Sequence, residues 1–277
     1  MTALRSTEAV LTFDRVVEGA VKRDRVFVLV ALAAVMALSW GYVLAGAGMN
    51  MTAPEMTRLA SIGGMAKMMP AIWDIGYAAL MFLMWWVMMI AMMLPSATPM
   101  VLLFATINRK QREKGNPHVA TTIFASAYLI VWAGFSIVAV ALQWSLETLA
   151  LLSPLLVGTS TVLGGVLLLA AGLYQITPIK QACLKNCRSP LQFIMTRWRN
   201  GDGGAFHMGA EHGAYCVGCC WFLMGLLFFG GVMNLYWIIG LAAIVLIEKT
   251  IPGGPWVSHL LGGVLILCGG AVLAGTF

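Results

Sequence analysis

Long apolar segments separated by short polar ones dominate the pattern of this chain. A helix needs about 20 apolar residues to cross the roughly 30 Å hydrocarbon layer of a bilayer. Seven segments approach this length, at about residues 26–48, 79–106, 119–142, 155–177, 213–231, 233–249 and 255–275. The pattern therefore predicts an all-α protein, a polytopic transmembrane helical bundle of about seven spans that form a single domain over residues 26–277.

The boundary between the fifth and sixth spans depends on a length argument. The apolar stretch from Cys216 to Ile247 would be about 48 Å long as one helix, at about 1.5 Å per residue, which exceeds the thickness of a bilayer. A glycine pair and an asparagine interrupt it at residues 230–234. We expect a tight turn there.

Composition supports a membrane protein, since 60% of the residues are hydrophobic and 10% are charged. Short loops that are rich in Lys and Arg stay on the cytoplasmic side of the membrane. With a cytoplasmic amino terminus, all 17 Lys and Arg residues except Arg58 and Lys67 fall on that side. The sequence therefore predicts a protein of a bacterial inner membrane whose amino terminus is cytoplasmic. The net charge of +6 then indicates attraction to anionic lipid, with no nucleic-acid partner.

The first 25 residues alternate charged and apolar positions. This spacing predicts an amphipathic helix on the cytoplasmic surface over residues 1–25. A signal peptide is the alternative, but its basic start and short apolar core do not fit a segment with Glu8, Asp14 and Glu18. We expect the first span to be retained.

Cysteines supply the candidate chemistry, because five of the 6 lie between residues 183 and 220. Thr177-Pro178 and Ser189-Pro190 predict a short helix over 178–188, which places Cys183 and Cys187 on one face. This helix opens a cytoplasmic Cys-rich loop at 178–215, in which the glycines at 201–204 predict a flexible break.

A second cysteine group follows that loop. We expect it to open the fifth span, where the positive helix end favours metal-binding thiolates. A histidine lies one turn earlier. Together the two segments predict a metal site with the candidate ligands Cys183, Cys187, His212, Cys216, Cys219 and Cys220.

Other readings of the cysteines remain open. A free cysteine often acts as a small hydrophobe, and this is our interpretation of the isolated Cys268. A structural disulfide is disfavoured because the cytoplasm keeps thiols reduced. Four thiolates also suit structural Zn(II), which is the alternative metal.

Methionines favour Cu(I). Of the 19, most lie in an outer loop around residues 49–69 and in the second span, where Met84, Met88 and Met92 repeat every four residues and form a stripe. Thioethers and thiolates select Cu(I), so the stripe is a second set of candidate ligands. Core packing is the competing interpretation. Pro95 and Pro99 in the same span are expected to kink or unwind the helix.

Several runs resemble one known family: MWWVMMIAMMLPSATPM in the second span, TPIKQACLKNCRSP, GAFHMGAEHGAYCVGCCW, the GVMN turn and the pair Glu248-Lys249. They resemble bacterial integral membrane proteins with predicted metal binding and no assigned function. The resemblance implies that the six Cys and His positions given above form its metal signature. By position alone, Glu248 and Lys249 are expected to anchor the sixth span at the membrane edge.

We therefore expect a membrane protein that binds a soft metal and serves Cu(I) uptake, delivery or storage. A membrane thiol oxidoreductase is one alternative, although a non-enzymatic role is favoured. The other is an accessory or assembly subunit of a larger complex, since the glycine pairs at 262–263 and 269–270 suit close helix packing, a partner helix or a second copy.

Overall fold

A computed structural model describes residues 26–61, 72–113, 120–153, 156–251 and 255–275, and every regular element within them is a helix. The first half comprises α1 (Val26–Leu44), α2 (Ala53–Ser61), α3 (Ile75–Glu113), α4 (Thr121–Thr148) and α5 (Thr161–Gln175). The second half comprises α6 (Pro178–Arg188), α7 (Pro190–Arg197), α8 (Gly201–Gly225), α9 (Leu227–Gly230), α10 (Leu235–Thr250) and α11 (Trp256–Leu273). The all-α prediction is confirmed. The surface helix predicted at 1–25 lies outside the described residues.

Among the residues that the structure describes, five segments are long and apolar enough to cross a membrane: α1, most of α3, α4, α8 together with α9, and α11. The pair α5 and α6, bent by 64°, would make a sixth. The helices at the predicted fourth and sixth spans are shorter than expected, since α5 has 15 residues and α10 has 16. Long apolar helices are thus compatible with a membrane protein, while a count of seven spans stays a prediction.

Two short elements begin and end where local sequence signals place them. The Thr177 hydroxyl accepts a hydrogen bond from the Lys180 amide at 3.3 Å, and Pro178 occupies the first turn of α6. The turn before α10 contains Gly231 at φ 100°, and the Asn234 side chain accepts from the Tyr236 amide at 3.0 Å. The predicted helix at 178–188 and the predicted turn at 230–234 are both confirmed.

Glycines bring α5 and α11 into backbone contact. A Cβ atom added at Gly262 would lie 2.9 Å from the Gly172 carbonyl oxygen, and one added at Gly269 would lie 2.9 Å from the Gly165 carbonyl oxygen. Such close approach is possible only without side chains. The close helix packing that the glycine pairs predicted is therefore confirmed, while contact with a partner helix or a second copy stays a prediction.

One expectation about a helix break is wrong, and of the kink or unwinding expected at the two prolines of the second span only the unwinding is excluded. The segment 201–204 is the first turn of α8, so the predicted loop 178–215 is mostly helical. Gly201 adopts φ 77°, which allows the chain to turn directly into the helix. The helix α3 continues past Pro95 and Pro99 without unwinding. The Ser96 hydroxyl donates to the Met93 carbonyl at 2.8 Å.

The core lies between α3, α4, α8 and α10, with α6 covering one side of α8. The buried face of α3 contributes methionines, and the buried face of α8 contributes cysteines. The two candidate ligand sets of the sequence therefore occupy one continuous core.

Candidate metal centre

The buried face of α8 presents His212, Cys216, Cys219 and Cys220 to the core. Residues three and four apart lie on one side of a helix, so the predicted shared face is confirmed. The predicted position at a helix end is wrong. Because α8 begins at Gly201, Cys216 lies about four turns inside it, and the helix dipole acts only within the terminal turn.

The helix α6 brings the other two cysteines to this face. Cys187 is buried and packs in the same core as Cys219. Cys183 is half-buried and packs over Gly218, where an added Cβ would lie 2.9 Å from its sulfur. The two cysteine segments therefore meet. We call Cys187, Cys216, Cys219 and Cys220 the thiol cluster, with Cys183 at its rim.

All six cysteines are free. In the thiol cluster, the Cys219 and Cys220 sulfurs donate to the Cys216 carbonyl oxygen at 3.1 and 2.9 Å. Within the described residues, no group of three or more His, Cys, Asp and Glu side chains already has the arrangement of a metal site. The thiols are close together but hydrogen bond to the backbone, so a bound metal would require them to rotate between staggered positions.

Two polar side chains of other helices contact Cys216. The Lys249 ammonium lies 2.9 Å from its sulfur, and the Tyr128 hydroxyl lies 3.1 Å from it. Lys249 also donates to the Ser96 hydroxyl at 3.1 Å. Tyr128 and Ser96 could not be predicted as neighbours of the cysteines, since nothing in the local sequence pattern relates them to residues of α8.

The expected role of Glu248 and Lys249 at the membrane edge is wrong, because both side chains are buried. The last turn of α10 packs against α3, α6 and α8, which closes it off from solvent. The Glu248 carboxylate pairs with Lys180 of α6. The sequence shows only that two adjacent charged residues, Glu248 and Lys249, end an apolar segment. That they are buried becomes visible only when the helices are packed together.

His212 lies among aromatic rings beside the thiol cluster. Its ring centroid is 5.7 Å from that of Tyr128, 6.3 Å from that of Phe124 and 5.6 Å from that of Phe193. Its Nδ1 atom is buried and has no hydrogen-bond partner among the described residues. A neutral imidazole has one nitrogen with a free lone pair, which can bind a metal. His212 is therefore still a candidate ligand.

Met84, Met88 and Met92 are all buried on the core face of α3. The methionine that reaches the cysteines is a neighbour of that stripe, Met93, whose sulfur lies 3.9 Å from the sulfur of Cys220. At the other end of the stripe, the Gln143 amide donates to the Met81 sulfur at 3.3 Å. A buried column of thioethers therefore runs along α3 and ends beside the thiol cluster.

Thiols, thioethers and one imidazole are soft or intermediate ligands, and here they lie in an apolar interior. Such a set suits Cu(I) better than hard cations such as Mg²⁺ or Ca²⁺. The arrangement can hold a soft ion away from water, and the half-buried Cys183 connects it to the surface.

Comparison with protein families matches residues 82–272 to PpoB2, a family described as a copper chaperone. Neither the curated proteins nor the solved structures contain a match. The matched region includes the methionine stripe of Met84, Met88 and Met92, both cysteine segments and the buried end of α10. It extends over more than half of the chain and agrees with the predicted handling of copper. The protein thus belongs to the PpoB2 family of copper chaperones.

Proposed function

We propose that the protein is a multi-pass membrane chaperone that binds Cu(I) at the thiol cluster and passes it to a copper-requiring partner. The observation that supports this most directly is the packing of the two cysteine segments, in which Cys183 of α6 lies over Gly218 of α8 and Cys187 shares a buried core with Cys219. Copper handling by the family is consistent with it.

The oxidation state follows from ligand chemistry. Thiolates and thioethers prefer Cu(I), and Met93 lies next to Cys220 at 3.9 Å between the sulfurs. Structural Zn(II) would use thiolates and histidine and would not benefit from a thioether. The adjacent methionine therefore favours Cu(I).

The methionine stripe offers a route to this site. Side chains four residues apart on a helix have Cβ atoms about 5–6 Å apart. A Cu(I) ion could exchange one thioether for the next along Met84, Met88 and Met92, which are buried in one core. In the orientation with a cytoplasmic amino terminus, this route leads from the outer, Met-rich side to thiols near the inner side. Met65, Met68 and Met69 of that outer loop lie outside the described residues.

Release would use α6. Cys183 is half-buried while Cys187 is buried, so one helix carries a thiol of the cluster and a thiol at its rim. A partner could take copper from Cys183 by ligand exchange. Residence in a bacterial inner membrane, with α5 and α10 completing seven spans, is part of the same proposal.

Copper retention by the purified protein tests the function. The protein would be purified in detergent under reducing, anaerobic conditions, loaded with Cu(I), separated from free metal and analysed for copper and zinc. We expect near-stoichiometric copper in the wild type and little in the triple variant Cys216→Ser, Cys219→Ser and Cys220→Ser. Cys268→Ser is the matched control, since Cys268 lies exposed on α11.

Wild-type protein that retains no soft metal would overturn the proposal, as would a triple variant that retains as much copper as Cys268→Ser. Zinc in place of copper would identify the site as structural.

A further inference from the structure

Lys249 is a cation placed directly against the thiol cluster. It lies in the last turn of α10 and is 8% exposed. Its ammonium lies 2.9 Å from the Cys216 sulfur and 3.1 Å from the Ser96 hydroxyl oxygen. Its position relative to the sulfur is therefore set by contacts with α8 and α3.

This ammonium has no carboxylate partner among the residues that the structure describes. The neighbouring Glu248 directs its carboxylate to Lys180, with Nζ to Oε1 and Oε2 distances of 2.9 and 2.8 Å. That pair balances its own charges. A buried charge without a counter-ion is costly, so the Lys249 site is suited to an anion that forms beside it.

Metal binding creates such an anion. Each cysteine ligand loses its proton to solvent when it binds a metal. A monovalent ion held by two thiolates forms a complex with a net charge of minus one, which the ammonium neutralises. A divalent ion held by the same two thiolates is already neutral, and the ammonium then leaves an excess positive charge in an apolar interior.

We propose that Lys249 determines the charge selectivity of the thiol cluster, so that two of its thiolates bind a monovalent soft ion in preference to a divalent one. This inference rests on the proposed function and adds to it the class of metal that the site accepts. Lys249 acts as a positioned charge and not as a ligand, because an ammonium has no lone pair. Monovalent cargo in this sense means Cu(I) or its redox-stable analogue Ag(I).

The test is a competition between Ag(I) and Zn(II) for the purified protein. Lys249→Gln removes the charge without adding a sulfur ligand for a soft ion, and it should lower the retained ratio of Ag(I) to Zn(II) about tenfold or more, since charges about 4 Å apart in a protein interact strongly. Lys185→Gln is the matched control, because Lys185 is exposed on α6 and its loss changes the net charge equally. Lys249→Arg, which keeps the charge, should retain a ratio near that of the wild type.

Gel filtration would verify that each variant is folded, and Lys249→Leu, which also lacks a charge and a sulfur atom, replaces Lys249→Gln if the latter is not recovered. An unchanged ratio in the neutral variant, or an equal loss of both metals, overturns the inference while the proposed function stands. A wild type that binds neither Ag(I) nor Cu(I) overturns the proposed function itself.

Discussion

Lys180 and Glu248 lie 68 residues apart in the chain and form an ion pair from which solvent is excluded. The Lys180 nitrogen is 2.8 Å from a Glu248 carboxylate oxygen, and the two side chains are 0% and 2% exposed. The Gln175 side-chain oxygen also accepts from this ammonium. The pair joins α6, which carries Cys187, to α10, which carries Lys249. It therefore holds a helix that carries a thiol of the cluster against the helix that carries the neighbouring ammonium.

The ion pair predicts a large loss of stability when one partner is removed. Lys180→Met should destabilise the protein by about 3–5 kcal/mol, because it leaves the Glu248 carboxylate buried without a counter-charge. Thermal unfolding in detergent, followed by circular dichroism, measures the effect. The double variant Lys180→Met with Glu248→Gln should regain part of the loss, since it leaves no uncompensated charge.

The control for this prediction is the pair between Arg197 and Glu211, in which the arginine side chain is 43% exposed. Arg197→Met should cost about 1 kcal/mol or less, because water screens exposed pairs. Equal destabilisation by Lys180→Met and Arg197→Met would contradict the assigned role of the buried pair.

The glycine contact between α5 and α11 gives a second prediction with a control at the next residue. A Cβ at Gly262 would lie 2.9 Å from the Gly172 carbonyl, whereas one at Gly263 meets nothing within 4 Å. Gly262→Val should therefore destabilise the protein by about 1–3 kcal/mol through overpacking. Gly263→Val should have a smaller effect. Thermal unfolding of the two variants provides the comparison, and equal melting temperatures would refute the contact.

The methionine stripe gives a third prediction, which separates a route for copper from core packing. Exchanging Met for Leu conserves volume and costs less than about 1.5 kcal/mol per site. The variant Met84→Leu, Met88→Leu and Met92→Leu should slow copper loading of protein in lipid vesicles, while the final copper content stays that of the wild type. The rate is expected to fall because Leu offers no lone pair to Cu(I).

The control for the stripe is Met195→Leu, since Met195 is exposed on α7. Met93→Leu should act differently and lower the affinity for Cu(I), because Met93 lies beside Cys220. Wild-type loading kinetics in the triple variant would show that the stripe only fills the core.

Local signals explain why some elements could be predicted. The termini of α6 follow from Thr177, Pro178 and the Ser189-Pro190 pair, all of which act within one helical turn. The start of α8 could not be predicted, because Gly201 and its neighbours disfavour a helix locally. Packing against α4 compensates for this. A Cβ at Gly209 would lie 2.2 Å from the Phe124 carbonyl oxygen. The glycines that disfavour a helix locally therefore also allow α8 to contact α4 closely.

The sequence by itself determined the helical class, the apolar character and the kinds of candidate ligand, because composition and periodicity report on each helix separately. Only the tertiary structure decided that Cys187 packs in the same core as Cys219, that Met93 is the methionine beside Cys220, and that Lys249 faces Cys216. The physical reason is that periodicity identifies the buried face of a helix but not the helix against which that face packs. The chemistry of the thiol cluster depends on which helices pack against each other.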